Sequence, residues 1–335
     1  GCTVSWDGTE QMAIAQKDGI TVEVPIGQPY IYRNGTKVEN DTAALIQDGR
    51  TYLPIRVVLE SFGAKVQWNG NTNTVVVTSG GQTAENGDIQ VHFLEVGQGD
   101  AALINDGEFE ILIDAGVSAE GGKVVQYLSG YVDGDLDVVV ASHEDADHIG
   151  GLPAVFDAYT VEEVVDNGRT STTKTYNTYH NKVQAEGSDY AVDTTAHNIT
   201  LPSGATLEFL PITAVYDNAN DNSVVTMLTY GDVEVLFTGD LSADVADANS
   251  GLFSDVEVLK AGHHGSRTSV SSQFLQTTKP EYVVISAGLD NSYGHPHKEA
   301  LSAYLNTGAD VYGTFRSGDI VMTTDGQKIS FNTTE

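Results

Sequence analysis

The segment from Ser142 to Gly151, with the sequence SHEDADHIGG, constrains the fold of this chain more than any other. It follows an apolar run from Asp137 to Ala141 that is typical of a buried strand, and a helical pattern comes after it. Two imidazoles and two aspartates this close together would repel one another or stay poorly satisfied unless a cation lay between them. Acidic loops are common in an acidic chain, but paired histidines beside them are not. The segment therefore predicts a metal site between a strand and a helix.

Four side chains of this segment can converge on one cavity. His143 and Asp145 are two residues apart in its extended part and face the same way. Asp147 and His148 follow where the chain turns into the helix, whereas Glu144 is expected to point away. With one or two divalent ions, these four side chains become ligands that support one another.

Two other segments place polar residues at the end of an apolar run. Asp240 ends the segment FTGD, in which Gly239 allows the backbone to approach a neighbour closely. His263 and His264 follow an apolar run in the segment VLKAGHHGS. Taken alone, such an aspartate is usually a helix cap, and such a histidine is usually a surface or core residue. Together with the first segment, they supply a bridging carboxylate and a third imidazole.

Charge and cysteine content exclude several classes of protein. The 335 residues include 16 Lys and Arg against 47 Asp and Glu, which gives a net charge of −31. This charge repels phosphate and excludes a nucleic-acid binder of the usual basic-patch kind, although salt screening leaves local contact open. The single cysteine excludes a disulfide framework and a thiolate zinc cluster. No apolar run reaches the ~18 residues that a membrane span needs.

At about 150 residues per domain, the length predicts two domains. Residues 1–19 are polar and are interpreted as a tether, and residues 79–87 (SGGQTAENG) are interpreted as a linker. Between them, residues 20–78 combine short strands, the turn Asn34-Gly35 and a helical spacing, which predicts a small α+β domain. Residues 88–335 mix hairpins with helices, which predicts an α+β fold with sheets in the middle and helices outside.

Part of the first domain, RTYLPIRVVLESFGAKVQWNGNTNTVVV, resembles the copper amine oxidase N-terminal-like domain, which is widespread in secreted bacterial proteins. No copper site is expected, because residues 20–78 contain no His, Cys or Met. We expect an adhesive or spacer role instead, with contact to a cell wall or surface.

Residues 88 to 331 resemble the metallo-β-lactamase superfamily, and more narrowly the hydrolase domain of the bacterial competence protein ComEC. The resemblance rests on FLEVGQGDA at 93–101, IDAG at 113–116, HEDADH at 143–148, Asn222-Ser223, TGD at 238–240, KAGHHGS at 260–266 and YGHPH at 293–297. It implies an αββα sandwich with metals at one edge of the two sheets.

The resemblance also implies a set of metal ligands. They are His143 and Asp145 for a first ion, Asp147, His148 and His263 for a second, and Asp240 as the bridge. Asp145 stands where the superfamily more often has His, and the usual further His of the first site is missing near Asn222-Ser223. A site poor in nitrogen favours manganese or magnesium, or weak occupancy, whereas zinc suits the second site.

Catalytic and substrate-binding roles follow from the same resemblance. A bound ion lowers the pKa of water toward ~7, and the attacking oxygen would lie near Asp147 and Asp240. His295 would donate a hydrogen bond to a phosphate oxygen or protonate the leaving group, and His264 would do the same or orient His263. The residues expected to contact substrate are Asn222, Ser223, Lys260, Ser266 and His295.

These roles predict a metal-dependent hydrolase, and the ComEC resemblance favours a phosphodiesterase or nuclease that acts on nucleic acid or smaller phosphodiesters. Two alternatives stay open. One is hydrolysis of a lactam, lactone or thioester, and the other is a surface-attached binding protein with a degenerate metal site.

Cys2 follows Gly1 and is the single cysteine of the chain. This arrangement is typical of a bacterial lipoprotein after signal removal, in which the cysteine carries the lipid anchor. A small residue pair left by cloning or at a cut site is the alternative. The sequence thus predicts an extracellular surface lipoprotein of a bacterium, held to the membrane only through Cys2.

Overall fold

The structure is a computed structural model and describes residues 3–17, 19–47, 50–62, 65–69, 74–78, 87–107, 109–132, 134–195 and 198–334. The chain divides into two compact units, one formed by Gly1–Thr83 with Ser129–Tyr131 and the other by Ala84–Leu128 with Val132–Glu335. The predicted anchor Cys2 and residues 79–86 of the predicted linker lie outside the described residues.

The first unit is built mainly of antiparallel strands. Its elements are β1 (Thr3–Asp7), β2 (Met12–Lys17), β3 (Ile20–Pro25), β4 (Tyr30–Arg33), β5 (Thr36–Glu39), β6 (Leu45–Gln47), β7 (Arg50–Tyr52), α1 (Ile55–Glu60), β8 (Lys65–Asn69) and β9 (Thr74–Thr78). Strands β1 to β5 form one sheet in sequence order, and β6–β7 and β8–β9 pair as hairpins. Val22, Val24 and Ile31 of the sheet share a core with Val57 and Val58 of α1.

The prediction of a tether over residues 1–19 is wrong for the described part of that segment. Strand β1 pairs with β2, and β2 pairs with β3 from Met12↔Pro25 to Lys17↔Ile20. Strand β2 buries only the small side chains of Ala13 and Ala15, and β1 is almost wholly exposed. The segment therefore lacks the strong apolar alternation by which a strand is recognised in a sequence.

The second unit mixes strands and helices along the chain. Its strands are β10 (Ile89–Phe93), β11 (Ala102–Asn105), β12 (Glu110–Ile113), β13 (Leu136–Val140), β14 (Val161–Asp166), β15 (Asp189–Val192), β16 (Ile199–Thr200), β17 (Thr206–Phe209), β18 (Thr226–Tyr230), β19 (Val233–Phe237), β20 (Val258–Lys260), β21 (Tyr282–Ile285), β22 (Asp310–Gly313), β23 (Ile320–Thr324) and β24 (Ile329–Thr333). Its helices are α2 (Gly121–Leu128), α3 (Ala146–Ile149), α4 (Leu152–Ala158), α5 (Lys174–Glu186), α6 (Ala243–Ala248), α7 (Ser272–Thr278), α8 (Lys298–Thr307) and α9 (Thr314–Ser317). None of the helices in the described ranges is both long and apolar enough to cross a bilayer.

Two sheets face each other in the second unit. One has the order β15-β14-β13-β12-β11-β10-β23-β24 and the other β16-β17-β18-β19-β20-β21-β22. Their inner faces share one core, in which Phe93 stacks on Phe237 with ring centroids 6.1 Å apart. The outer face of the second sheet packs against α7 and α8 through Phe274 and Tyr304. On the other side, α4 contacts both α2 and α5. The predicted αββα sandwich is confirmed.

Parallel strands occupy part of each sheet and align the residues that follow them. Strands β12 to β15 are parallel in one sheet, and β19 to β22 are parallel in the other. The carboxyl ends of parallel strands lie at the same edge of a sheet, where ligands commonly bind. Asp114 follows β12, His143 follows β13, Asp240 follows β19 and His263 follows β20. This topology brings polar residues from distant segments to one edge.

Candidate metal centre

Asp240 lies at the centre of a cluster of imidazoles. Its Oδ1 lies 3.2 Å from His148 Nε2. Its Oδ2 lies 3.5 Å from His263 Nε2, 3.7 Å from His264 Nε2 and 3.9 Å from His143 Nε2. The structure therefore brings together the loop after β13, the residue after β19 and the histidine pair after β20.

Several buried atoms of this cluster lack a partner. Among the described residues, His143 Nε2, His148 Nε2, His264 Nε2 and Asp240 Oδ1 are buried and accept or donate no hydrogen bond. Ligand atoms of Asp100, His148, Asp240 and His264 all lie within 4.8 Å of one another. Buried polar atoms are rarely left unsatisfied, and nitrogen and carboxylate donors at this spacing are the ligands of a divalent cation. The residues present thus fit a metal ion.

A buried carboxylate holds His148 from behind. Asp114 Oδ2 lies 2.7 Å from His148 Nδ1, which leaves Nε2 free to face Asp240. Ser142 fixes this carboxylate, since its backbone N–H donates to Asp114 Oδ1 at 2.8 Å and its hydroxyl donates to Oδ2 at 2.6 Å. Such a partner sets the tautomer and orientation of a metal-binding histidine. Sequence reasoning gave Asp114 no role, although it lies in the IDAG segment.

Asp100 holds His264 in the same way. Its Oδ1 lies 3.0 Å from His264 Nδ1, and its Oδ2 lies 2.7 Å from the ammonium of Lys260. Both carboxylate oxygens are occupied, so Asp100 orients His264. Gly99 makes this approach possible: a Cβ there would lie 2.4 Å from the carbonyl oxygen of Asp147, whereas the N–H of Asp100 donates to that oxygen. Sequence reasoning also missed Asp100, whose signal was the GQGDA segment.

The histidine pair adopts a rare backbone conformation that decides which ring faces inward. His263 has φ 48° and His264 has φ 55°, so two consecutive residues with side chains are left-handed. The side chain of His264 is 1% exposed and that of His263 is 29% exposed. Both rings of the pair lie near Asp240, so His263 stays a candidate ligand as predicted. His264 was expected to donate a hydrogen bond or to orient His263, but its Nε2 lies 3.4 Å from Asp147 and faces Asp240, which makes it a further candidate ligand.

Of the remaining predicted ligands, His143 is buried in the cluster and Asp145 lies at its rim. His143 is buried, and its Nδ1 is 3.0 Å from the Ser142 hydroxyl. Asp145, with a side chain 47% exposed, places Oδ2 3.7 Å from His143 Nε2. Glu144 points away as expected and contacts Asn167 and Arg169.

Opposite charges dominate the electrostatics of the cluster. Burial favours the neutral imidazole, but the carboxylates of Asp240 and Asp114 outweigh it and hold the pKa of His148 well above its ordinary value. Burial also opposes the charge of His264, yet Asp240 and Asp100 raise its pKa to about 9. Burial would raise the pKa of Asp240, but His148 and His264 hold it well below its ordinary value. A metal ion would replace the protons on these imidazoles.

Comparison with known proteins shows the family. A family model described as the metallo-beta-lactamase superfamily matches residues 94–288, which is more than half of the chain. The chain belongs to the metallo-β-lactamase superfamily. A second model, described as the copper amine oxidase N-terminal domain, matches residues 1–77, so that domain begins before the predicted boundary at residue 20. Both family resemblances in the sequence are confirmed.

Three relatives of this superfamily member have names linked to recombination or competence. It is 31% identical over 239 residues to "Recombination protein 2" of Haemophilus influenzae, which covers 69% of this chain and 28% of that protein. It is 32% identical over 232 residues to "Competence protein ComA" of Neisseria gonorrhoeae, and the match covers 67% of this chain and 30% of that protein. It is 28% identical over 255 residues to "ComE operon protein 3" of Bacillus subtilis, and the match covers 69% of this chain and 32% of that protein. The chain thus spans about a third or less of the length of these relatives.

Four residues assigned to substrate in this superfamily member have internal contacts instead. Lys260 is buried and bound to Asp100. Ser223 is buried, accepts the N–H of Asp240 and lies 3.5 Å from His143 Nδ1. The other two assignments are corrected in the same way. The side chain of Asn222 forms hydrogen bonds with Arg169, Tyr216 and Asn218. Ser266 is buried, and its hydroxyl accepts the backbone N–H of Thr268. These side chains support the loops of the centre.

Gly239 allows Ser223 to take this place. It has φ 52°, and a Cβ there would lie 2.8 Å from the Ser223 hydroxyl. The close approach expected at Gly239 from the sequence is therefore present.

His295 lies beside the centre, as the sequence suggested. Its ring centroid is 5.4 Å from that of His263 and 6.1 Å from that of His264. Burial and the neighbouring imidazoles lower the pKa of His295 to about 4. The amide nitrogen of Gln98 lies 3.4 Å from its Nδ1. His295 is thus a neutral imidazole at pH 7 that can donate one hydrogen bond from Nε2.

Proposed function

We propose that this chain is a metal-dependent phosphodiesterase, acting on nucleic acid or on smaller phosphodiesters. The observation that carries the proposal is the convergence of unpartnered buried atoms of His143, His148, His264 and Asp240 on one space. A phosphate substrate is supported by the donor set, because the carboxylates of Asp145, Asp147 and Asp240 suit hard ions and the phosphate oxygens that such ions bind. The competence and recombination names of the relatives support it as well.

The residues of the centre would have different roles in the reaction. A bound divalent cation lowers the pKa of coordinated water and neutralises charge on phosphate oxygens. His143, His148, His264 and Asp240 would hold it, and Asp145, Asp147 and His263 would complete the set of ligands. Asp147 is partly exposed and can accept a hydrogen bond from the attacking water and orient it. His295 can donate its Nε2 proton to a phosphate oxygen as charge develops there.

Location and partners extend the proposal. We place the protein outside the cell, with manganese or zinc as its ion and with Cys2 as a lipid anchor. The first unit would act as a spacer or contact a cell wall. The net charge of −31 repels phosphate from the surface in general, so attraction of the substrate would have to come from the cations of the centre.

Asp240→Asn tests the proposal, because it removes one charge at the shared ligand and keeps the shape of the side chain. We expect hydrolysis of bis(p-nitrophenyl) phosphate with Mn²⁺ to fall on the order of 10²–10³-fold, as when a preorganised electrostatic group is lost. Metal content measured by mass spectrometry should fall with it. Asp244→Asn, an exposed position in the first turn of α6, is the matched control.

Two outcomes contradict the proposal. One is a wild-type protein that binds no divalent ion. The other is a metal-loaded protein that leaves the diester intact while it opens a lactam or a lactone.

A further inference from the structure

A cavity of about 450 Å³ adjoins the centre in the second unit. Its lining includes His295, the apolar side chains of Leu289, Leu305, Val311 and Phe315, and two charged residues, Asp290 and Arg316. This volume lies within the ~300–1,000 Å³ range of small-molecule sites, and an apolar lining with few polar groups is typical of them. The functions already assigned to the centre make no use of this space.

His295 connects the cavity with the centre, because it lines the cavity and its ring lies close to both histidines of the pair. The His295 ring lies 5.4 Å from His263 and 6.1 Å from His264, centroid to centroid. Both of those rings lie within 4 Å of Asp240. The cavity therefore lies next to the position that a substrate bound at the centre would occupy.

Arg316 supplies positive charge at this cavity. Its side chain is exposed, and its guanidinium carbon lies 5.9 Å from the ring centroid of Phe315. Within the described ranges, no carboxylate lies at ion-pair distance from Arg316, although acids outnumber bases 47 to 16 in the chain. An unpaired guanidinium is well suited to bind a phosphate, and it stacks on flat rings.

We propose that this cavity is a nucleoside subsite, in which a base packs against Leu289 and Phe315 while Arg316 binds the next phosphate along the strand. The inference rests on the proposed phosphodiesterase function and names its substrate class as a nucleotide-containing diester. Aromatic and guanidinium faces bind bases with little regard to sequence. An acyl chain would fill the apolar walls but would leave Arg316 and the aromatic face unused.

A substitution at Gly313 changes the shape of the cavity, because Gly313 lies against the ring of Phe315. A Cβ at Gly313 would lie 2.2 Å from Cε1 of Phe315, so an alanine must displace the ring. The backbone of Gly313 is extended, with φ −146° and ψ 127°, and accepts alanine without strain. Gly313→Ala therefore moves a wall of the cavity and leaves every ligand of the centre unchanged.

The test compares two esters with the Mn²⁺-loaded protein: 3′-phosphothymidine 5′-(p-nitrophenyl phosphate), which carries a further phosphate for Arg316, and methyl p-nitrophenyl phosphate, which lacks the nucleoside and that phosphate. We expect kcat/KM to favour the nucleoside ester by at least tenfold. Gly313→Ala and Arg316→Gln should each reduce that ratio about tenfold, mainly through KM. Lys328→Gln removes one charge at an exposed position of the same unit and should leave the ratio unchanged. Melting curves check that Gly313→Ala is folded.

Equal hydrolysis of both esters, or a ratio that survives both substitutions, overturns the subsite while the phosphodiesterase stands. If neither ester is hydrolysed, the proposed function fails, and equilibrium dialysis of thymidine monophosphate then decides the subsite. Binding that weakens about tenfold in Arg316→Gln supports it, and no binding overturns it. Competition by a short-chain lysophospholipid, with none by thymidine monophosphate, also overturns it in favour of a lipid diester.

Discussion

The two sides of the metal centre are built differently although they share Asp240. On the inner side, His148 and His264 each have a buried carboxylate behind the ring, Asp114 and Asp100 respectively. On the outer side, the described residues place only the hydroxyl groups of Ser142 and Ser223 behind His143, and Asp145 and His263 are partly exposed. A carboxylate fixes the tautomer and raises the basicity of a ligand, whereas a hydroxyl can donate or accept. The inner side is therefore preorganised, and the outer side can adapt to its ion and to the substrate.

Asp100→Asn should produce the larger effect, because it removes the carboxylate behind His264. An amide there can turn its NH₂ group toward His264 Nδ1, which places the ring proton on Nε2 and blocks the ligand atom. We expect about 10–100-fold weaker binding of the first metal equivalent, measured by competition with a chelating dye.

Lys260 requires a second variant, because breaking a buried ion pair destabilises a fold by about 3–5 kcal/mol. The double substitution Asp100→Asn with Lys260→Met should recover thermal stability and leave metal affinity low. Recovery of metal affinity together with stability would show that Asp100 supports the fold alone, against the assignment of a positioning residue.

Asp145→Asn should have a smaller and more selective effect, because this carboxylate is half exposed and belongs to the outer side. We expect isothermal titration to lose the weaker metal equivalent and to retain the tighter one. Glu144→Gln is the matched control, since its carboxylate faces Asn167 and Arg169. Loss of the tighter equivalent in Asp145→Asn would contradict the division into two sides.

The same contrast explains what the sequence could predict. His143, Asp145, Asp147 and His148 lie within six residues, so local spacing was sufficient to mark them as a metal loop. Asp100 meets Lys260 and His264 across about 160 positions of sequence, and its segment looks like an ordinary turn. Which ring of the histidine pair faces the centre depends on the left-handed backbone of both residues, and no sequence pattern predicts this conformation.

The fold was predictable where strands are buried on both faces, as β12 and β13 are nearly throughout. Elements with few apolar residues are harder to recognise from a sequence. Helix α5 buries only Tyr176, Tyr179 and Val183 in 13 residues, and the local sequence feature that marks its start is the cap at Thr173. Strands β1 and β2 were missed for the same reason, because tertiary pairing rather than apolar patterning defines them.

The smallest effect that we expect is a change with pH in the thermal stability of the metal-free protein. We expect it to come from the histidines of the inner side. The folded-state pKa of His264 is raised from 6.5 to about 9 by Asp240 and Asp100 against the effect of burial. A raised imidazole pKa stabilises the fold fully below pH ~6.5, and this contribution is lost as pH rises through about 9. The melting temperature in EDTA should therefore fall across this window, while the stabilisation given by added Mn²⁺ grows because the metal needs the neutral ring. Burial lowers the pKa of His263, so His263→Gln should keep the slope. His264→Gln should reduce the slope to the part that His148 contributes, because the pKa of His148 is also raised. An unchanged slope in His264→Gln, or a reduced slope in His263→Gln, would reverse the assignment of the two histidines.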